Sequence, residues 1–141
     1  MYDKVFDCLR FIASTAVGIF TFVYGNIDNI FYALVALIIV DYLSGVVSAI
    51  IEKKLSSAVG FVGILKKVVI LCVVAVGSMC DKLTGSGDTF RNMVCAFYIA
   101  NEALSIIENA GRIGLPIPKK ILDVIETIKN GGDENGSNNH I

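Results

Sequence analysis

Residues Ile30 to Ile51 form a run of 22 residues with one charged side chain, and that charge, Asp41, falls almost at its midpoint. At 1.5 Å per residue such a run rises about 33 Å as a helix, enough to cross the hydrocarbon core of a bilayer. Hydrophobic residues make up 55% of the chain and charged residues 18%, too apolar for an ordinary soluble domain. Inside lipid a single segment can satisfy its own backbone hydrogen bonds only as a helix, so the run predicts an all-α integral membrane protein. A carboxylate at the bilayer centre costs roughly 3 kcal/mol on insertion scales. Asp41 therefore faces protein or water, or is protonated. Ser44, Gly45, Ser48 and Ala49 follow it at helical spacing. Either a neutral acid capping a helix contact or a polar face shared with other spans fits this pattern.

Three further segments resemble spans. Phe11 to Ile27 carries no charge over 17 residues, the lower edge for crossing. A basic lead-in precedes it, and no small-residue cleavage site follows Phe20 to Tyr24, which predicts an uncleaved anchor. Residues 52–67 hold Lys53, Lys54, Lys66 and Lys67 against Glu52, and Gly60 and Gly63 weaken a helix there. A loop or a bent amphipathic helix on the inner leaflet is expected, followed by a span from about Ile64 to Cys80 with Lys66 and Lys67 snorkelling at its inner end. Residues 81–88 read as a Gly and Ser turn.

The fourth segment, about 90–110, is striped. Arg91, Asn92, Cys95, Tyr98, Asn101, Glu102, Ser105, Glu108, Asn109 and Arg112 recur every three or four residues, opposite Val94, Phe97, Leu104, Ile106 and Ile107. In a soluble protein this is an ordinary surface helix. Beside membrane spans, the polar stripe requires water, protein or another copy to face. Glu102 interrupts the apolar run, so three spans stay open beside four. Gly111 and Gly114 end the helix, and Leu115-Pro116-Ile117-Pro118 is an extended connector. Ile121, Leu122, Ile125 and Ile128 then give residues 118–129 the pattern of a short C-terminal amphipathic helix. The expected organisation is a transmembrane domain over 1–129, with spans near 11–27, 30–51, 64–80 and 90–110, and a disordered polar tail over 130–141.

With four spans and the N-terminus inside, Lys4, Arg10, Lys53, Lys54, Lys66, Lys67, Arg112, Lys119, Lys120 and Lys129 lie on the inner side, and Lys82 and Arg91 on the outer. This bias places both termini in the cytoplasm. The formal net charge of −1 gives no reason to expect nucleic acid. Cys8, Cys72, Cys80 and Cys95 lie in apolar segments without C-x-x-C pairing, and the single histidine, His140, is in the tail. They read as small hydrophobes, with neither metal nor disulfide expected. No nucleophile lies beside a base, and Asp41 and Glu102 sit in no recognisable active-site motif. Neither enzymatic activity nor a cofactor is predicted.

The segments Asp41-Tyr42-Leu43-Ser44-Gly45, Lys53-Lys54-Leu55-Ser56-Ser57, and YIANEALSIIENAGRIGLPIPKK at 98–120 resemble phage lysis holins of Gram-positive bacteria, in the family that includes toxin-secretion holins. The likeness covers about residues 30–129. It implies a protein that accumulates in the host cytoplasmic membrane, forms homo-oligomers and opens lesions for a partner, an endolysin or a secreted toxin. The residues add a mechanism: polar stripes on two short spans exceed what one copy can hide, whereas a ring of copies turns them toward a lumen. Asp41, Ser44, Ser48, Asn101, Glu102, Ser105, Glu108, Asn109 and Arg112 are the expected pore-lining or oligomer-contact positions. A small ion channel, a holin-like exporter or a membrane scaffold are the alternatives.

Overall fold

The structure, a computed structural model, describes residues 2–121 and 123, with side chains from residue 4 onward. Four long helices follow one another: α1 (Tyr2–Tyr24), α2 (Asn29–Ile51), α3 (Ser57–Thr84) and α4 (Thr89–Ile113). No strand occurs among the described residues. Three helices are long and apolar enough to cross a membrane: α1 from Lys4, α2 and α3. Helix α4 carries Arg91, Glu102, Glu108 and Arg112 and is not among them. Residues 119–121 and 123 are helical, which agrees with a short helix after the prolines. The rest of the 118–129 helix and the tail at 130–141 lie outside the described residues.

Local chemistry sets the helix ends. Gly25, at φ 75°, closes α1 in the left-handed region where side chains are strained. Asp28 caps α2 by accepting from the Phe31 amide at 3.2 Å, and Ser56 caps α3 by accepting from Val59 at 3.2 Å. Ser56 thereby starts α3 at Ser57, so residues 57–63, expected as a loop or a separate bent helix, are the first two turns of α3 itself. Lys66 and Lys67 then lie not at the helix end but about 15 Å along it. Helix α1 also starts earlier than the apolar run, taking in the charged lead-in, and stops before Gly25 to Ile27.

Helix α4 is the hub. It packs extensively on both α2 and α3, which meet each other more narrowly, at Asp41 with Lys67 and at Tyr42 beside Gly60 and Gly63. The buried positions are Phe31, Leu34, Ile38, Asp41 and Ser48 on α2; Ile70, Val74, Gly77, Ser78 and Asp81 on α3; and Arg91, Cys95, Glu102 and Asn109 on α4. With half-buried Gly45, Lys67, Tyr98 and Ser105 between them, each helix presents a seam spaced alternately by three and four residues. That is the spacing of helices meeting side by side in a bundle. Helices α2 and α4 run in the same direction and α3 opposes them, because the same two layers of ion pairs link all three.

The seam is layered by chemistry. Phe31, Leu34, Ile38, Ile70, Val74 and Cys95 form an apolar core. Toward the end of the bundle that holds Asp28, Asp81 and Asp88, the acidic end, this core meets buried Arg91. Toward the end that holds Lys53, Lys54 and Arg112, the basic end, it meets Asp41, Lys67 and Glu102. Gly77 permits the closest helix approach: a Cβ there would lie 3.1 Å from the Arg91 Cα.

Helix α1 stands apart. Its described side chains are exposed from Lys4 to Phe22, and it is tied to the body near its C-terminal end. There the rings of Phe20, Tyr24 and Phe31 pack with centroids 4.5 to 5.9 Å apart, and Lys82 Nζ sits 4.1 Å above the Phe22 ring. Large apolar residues such as Phe11, Val17, Leu43, Val69, Met93 and Phe97 face outward on all four helices, as a lipid-facing surface requires.

Candidate functional site: a charged layer inside the bundle

Three helices each contribute one charge to a layer near their middles. Lys67 Nζ of α3 donates to Asp41 Oδ2 of α2 and to Glu102 Oε2 of α4, so one ammonium bridges two carboxylates. Asp41 is 7% exposed and Glu102 4%. All three side chains project from positions about 15 Å from the basic end of their helices. Charges removed from water persist only when paired and hydrogen-bonded, and this arrangement supplies both. Asn109 extends it by donating to Asp41 Oδ1 at 3.2 Å and to Ser44 Oγ at 2.9 Å, while Ser44 donates to the Asp41 carbonyl at 3.0 Å.

A cavity of about 390 Å³ opens beside this layer, toward the basic end. Asp41, Lys67, Ser48, Ser105 and Asn109 line its inner part, and Glu52, Lys54 and Arg112 belong to the helix ends and the α2–α3 turn. Glu52 and Lys54 pair at 3.2 Å. Ser48 Oγ is buried and has no hydrogen-bond partner.

A second charged layer closes the acidic end. Asp88, at the start of α4, makes no side-chain cap. Asp81, reaching over from α3, does so instead, accepting from the amides of Phe90 and Arg91 at 2.9 Å each and from Ser86 Oγ at 2.6 Å. Arg91, wholly buried, donates to Asp28 Oδ1 at 2.5 Å. Its other terminal nitrogen lies 3.3 Å from Asp88, a charge contact without hydrogen-bond geometry. Burial pushes the Asp28 carboxyl up, but the Phe31 amide and the Arg91 guanidinium outweigh it and hold it below the usual carboxylate range.

The structure thus brings Asp41, Ser44, Glu102 and Asn109 together and places Ser48, Ser105 and Arg112 on the adjoining cavity. Asn101 is exposed on another face of α4, and Glu108 is half-buried. Within one copy, α2 and α3 together bury Arg91, Glu102 and Asn109 of the stripe, while Asn101 and Arg112 remain exposed. Sequence reasoning missed Lys67 as the partner of Asp41 and Glu102. Its neighbour Lys66 is exposed and fits a snorkelling residue, which masked the one-residue shift that turns Lys67 inward. The available signal was register: Gly63, Lys67, Ile70, Val74 and Gly77 alternate by three and four, as the buried positions of α2 do.

Relatives match this chain along most of their length. A protein of Listeria monocytogenes is 41% identical over 119 residues, 83% of this chain and 85% of its own. One of Clostridium acetobutylicum is 36% identical over 78% of this chain and 89% of its own, and one of Clostridium perfringens 39% over 79% and 86%. All three are described as uncharacterized. No solved structure matches. The bacteriophage holin family matches residues 18–130, which takes in the C-terminal end of α1 and all of α2, α3 and α4. With three helices able to cross a bilayer, a family match over most of its length and no enzymatic activity implied by that family, the chain is a multi-pass, holin-like membrane protein and belongs to the bacteriophage holin family.

Proposed function

We propose that the protein is a holin of the bacterial cytoplasmic membrane, with both termini in the cytoplasm, which oligomerises and opens lesions through which an endolysin reaches the cell wall. The observation that carries this reading is the polar seam of α4, held inside one copy by ion pairs from Glu102 to Lys67 of α3 and from Arg91 to Asp28 at the cap of α2. Every group that satisfies Glu102 and Asn109 within one copy is also present on the next copy. Exchange of internal for intermolecular contacts therefore conserves the pairing while freeing the helices to rearrange. Few copies favour the closed bundle; many favour assemblies whose polar faces meet water. Asp41, Ser44, Glu102 and Asn109 are the groups that change partners in this scheme, with Ser48, Asn101, Ser105, Glu108 and Arg112 beside them.

Inducible expression with and without a cytoplasmic endolysin tests the proposal. Abrupt lysis with the endolysin, and loss of viability without lysis in its absence, are expected. Potassium leakage and growth arrest without lysis in either strain would replace the holin by a narrow ion channel. Glu102→Leu leaves Lys67 paired one-to-one with Asp41, so the variant is expected to insert and not to lyse; unchanged lysis timing refutes the role given to the seam.

A further inference from the structure

We propose that the cavity beside the charged layer is a one-ended aqueous vestibule, through which Asp41, Lys67 and Glu102 exchange protons with the compartment at the basic end of the bundle. This rests on the membrane-spanning reading and is independent of lysis.

Four observations converge. When all three groups are ionised, two carboxylates against one ammonium sum to a formal charge of −1. Such an excess is costly in lipid without solvent or a counter-charge. The cavity supplies room for that solvent: at about 30 Å³ per molecule, 390 Å³ holds on the order of ten waters. Ser48 Oγ, buried on the cavity wall with no protein partner, presents a donor and acceptor that a vestibular water would satisfy. On the far side of the layer, Leu34, Ile38, Ile70, Val74 and Cys95 fill the seam with apolar atoms and offer water no partner.

The charged groups around the layer define the route. Asp41 belongs to α2, Lys67 to α3 and Glu102 to α4, with Glu52, Lys54 and Arg112 toward the basic end. The described charged side chains of α1, Lys4, Asp7 and Arg10, are exposed. Glu102 does not line the cavity and communicates with it through Lys67. A proton from a vestibular hydronium transfers to an oxygen of Asp41 and leaves water behind. Within the layer it passes to Glu102 when Lys67 gives its own proton to Glu102 and regains one from Asp41.

Cysteine accessibility tests the vestibule. In a background with Cys8, Cys72, Cys80 and Cys95 replaced by alanine, Ser48→Cys and Ala49→Cys place a thiol on the cavity wall, and Ile38→Cys places one in the apolar core. Lys53→Cys, in the exposed turn, marks the basic face. In vesicles of known orientation, a membrane-impermeant cationic thiol reagent is expected to label the two cavity positions from the Lys53 face, and Ile38→Cys from neither. Labelling of both cavity positions from both faces, or of neither position from either, overturns the vestibule. Infrared spectra test the proton: a carboxylic C=O band lost in the Asp41→Asn/Glu102→Gln protein is expected to shift when water is replaced by deuterium oxide. A band that does not shift, or no such band, overturns the exchange.

Discussion

Replacing Lys67 by methionine separates a charged layer that holds the bundle from one that merely tolerates its charges. Methionine keeps much of the length and apolar stem of lysine, so packing changes little. The substitution leaves Asp41 and Glu102 facing each other, with side chains 9% and 5% exposed and no cation between them. Removing one partner of a buried ion pair typically costs about 3–5 kcal/mol, and here two carboxylates lose the same partner. Asp41→Asn is a different perturbation: Glu102 keeps Lys67 and the layer becomes formally neutral, but the new amide has one oxygen for two donors, Lys67 and Asn109, and loses one of those bonds. Its expected cost is about 1.5–3 kcal/mol, the worth of one hydrogen bond to a charged group, and below that of Lys67→Met. Adding Asp41→Asn and Glu102→Gln to Lys67→Met removes the uncompensated charge and is expected to restore most of the loss. Unfolding from mixed micelles, followed by helical circular dichroism, gives all three free energies. A Lys67→Met cost below about 1 kcal/mol, or one equalled by Asp41→Asn, refutes the account of Lys67 as the bridging charge.

Glycine positions supply a steric contrast. A methyl at Gly77 meets backbone of Arg91 and Phe90 at 3.1 to 3.3 Å, so Gly77→Ala is expected to cost about 1–3 kcal/mol in the same unfolding assay. Gly18→Ala meets nothing within 4 Å and is expected to be neutral or to gain up to about 1 kcal/mol of helix propensity. Asp81→Ala removes the acceptor for two α4 amides and is expected to cost about 1–2 kcal/mol, with faster amide exchange at Phe90 and Arg91. Because the folded-state Asp28 carboxyl is held below its ordinary value of 3.8, its contribution is complete above that pH and is lost as pH falls through the lower folded value. The melting temperature is expected to drop below about pH 4 less steeply in Asp28→Asn than in the parent.

Helical class and the α2 span were legible because a 22-residue run with one charge has few other physical solutions. The stripe on α4 was legible as a face, but its direction was not. A polar face in a membrane chain is compatible with water, a neighbouring copy or its own bundle, and the choice depends on whether another helix offers complementary charge. That charge was Lys67, hidden within a basic stretch whose average character pointed to a surface. The start of α3 was misplaced for a related reason: Gly60 and Gly63 lower helix propensity, yet both pack against the Tyr42 side chain, and tertiary contact outweighs propensity there. The cap that Asp81 gives α4 spans ten residues of sequence and a chain reversal, so no local pattern announced it.

The position of α4 as the wedge between α2 and α3 bears on how the chain is made. Its own composition gives a translocating machinery little cause to release it into lipid, whereas α2 and α3 meet that requirement by themselves. Glu102 and Arg91 become acceptable in the bilayer once Lys67 and Asp28 are already waiting for them. The expected order of biogenesis is therefore directional: the apolar hairpin enters the membrane first, and the polar helix is admitted as its guest.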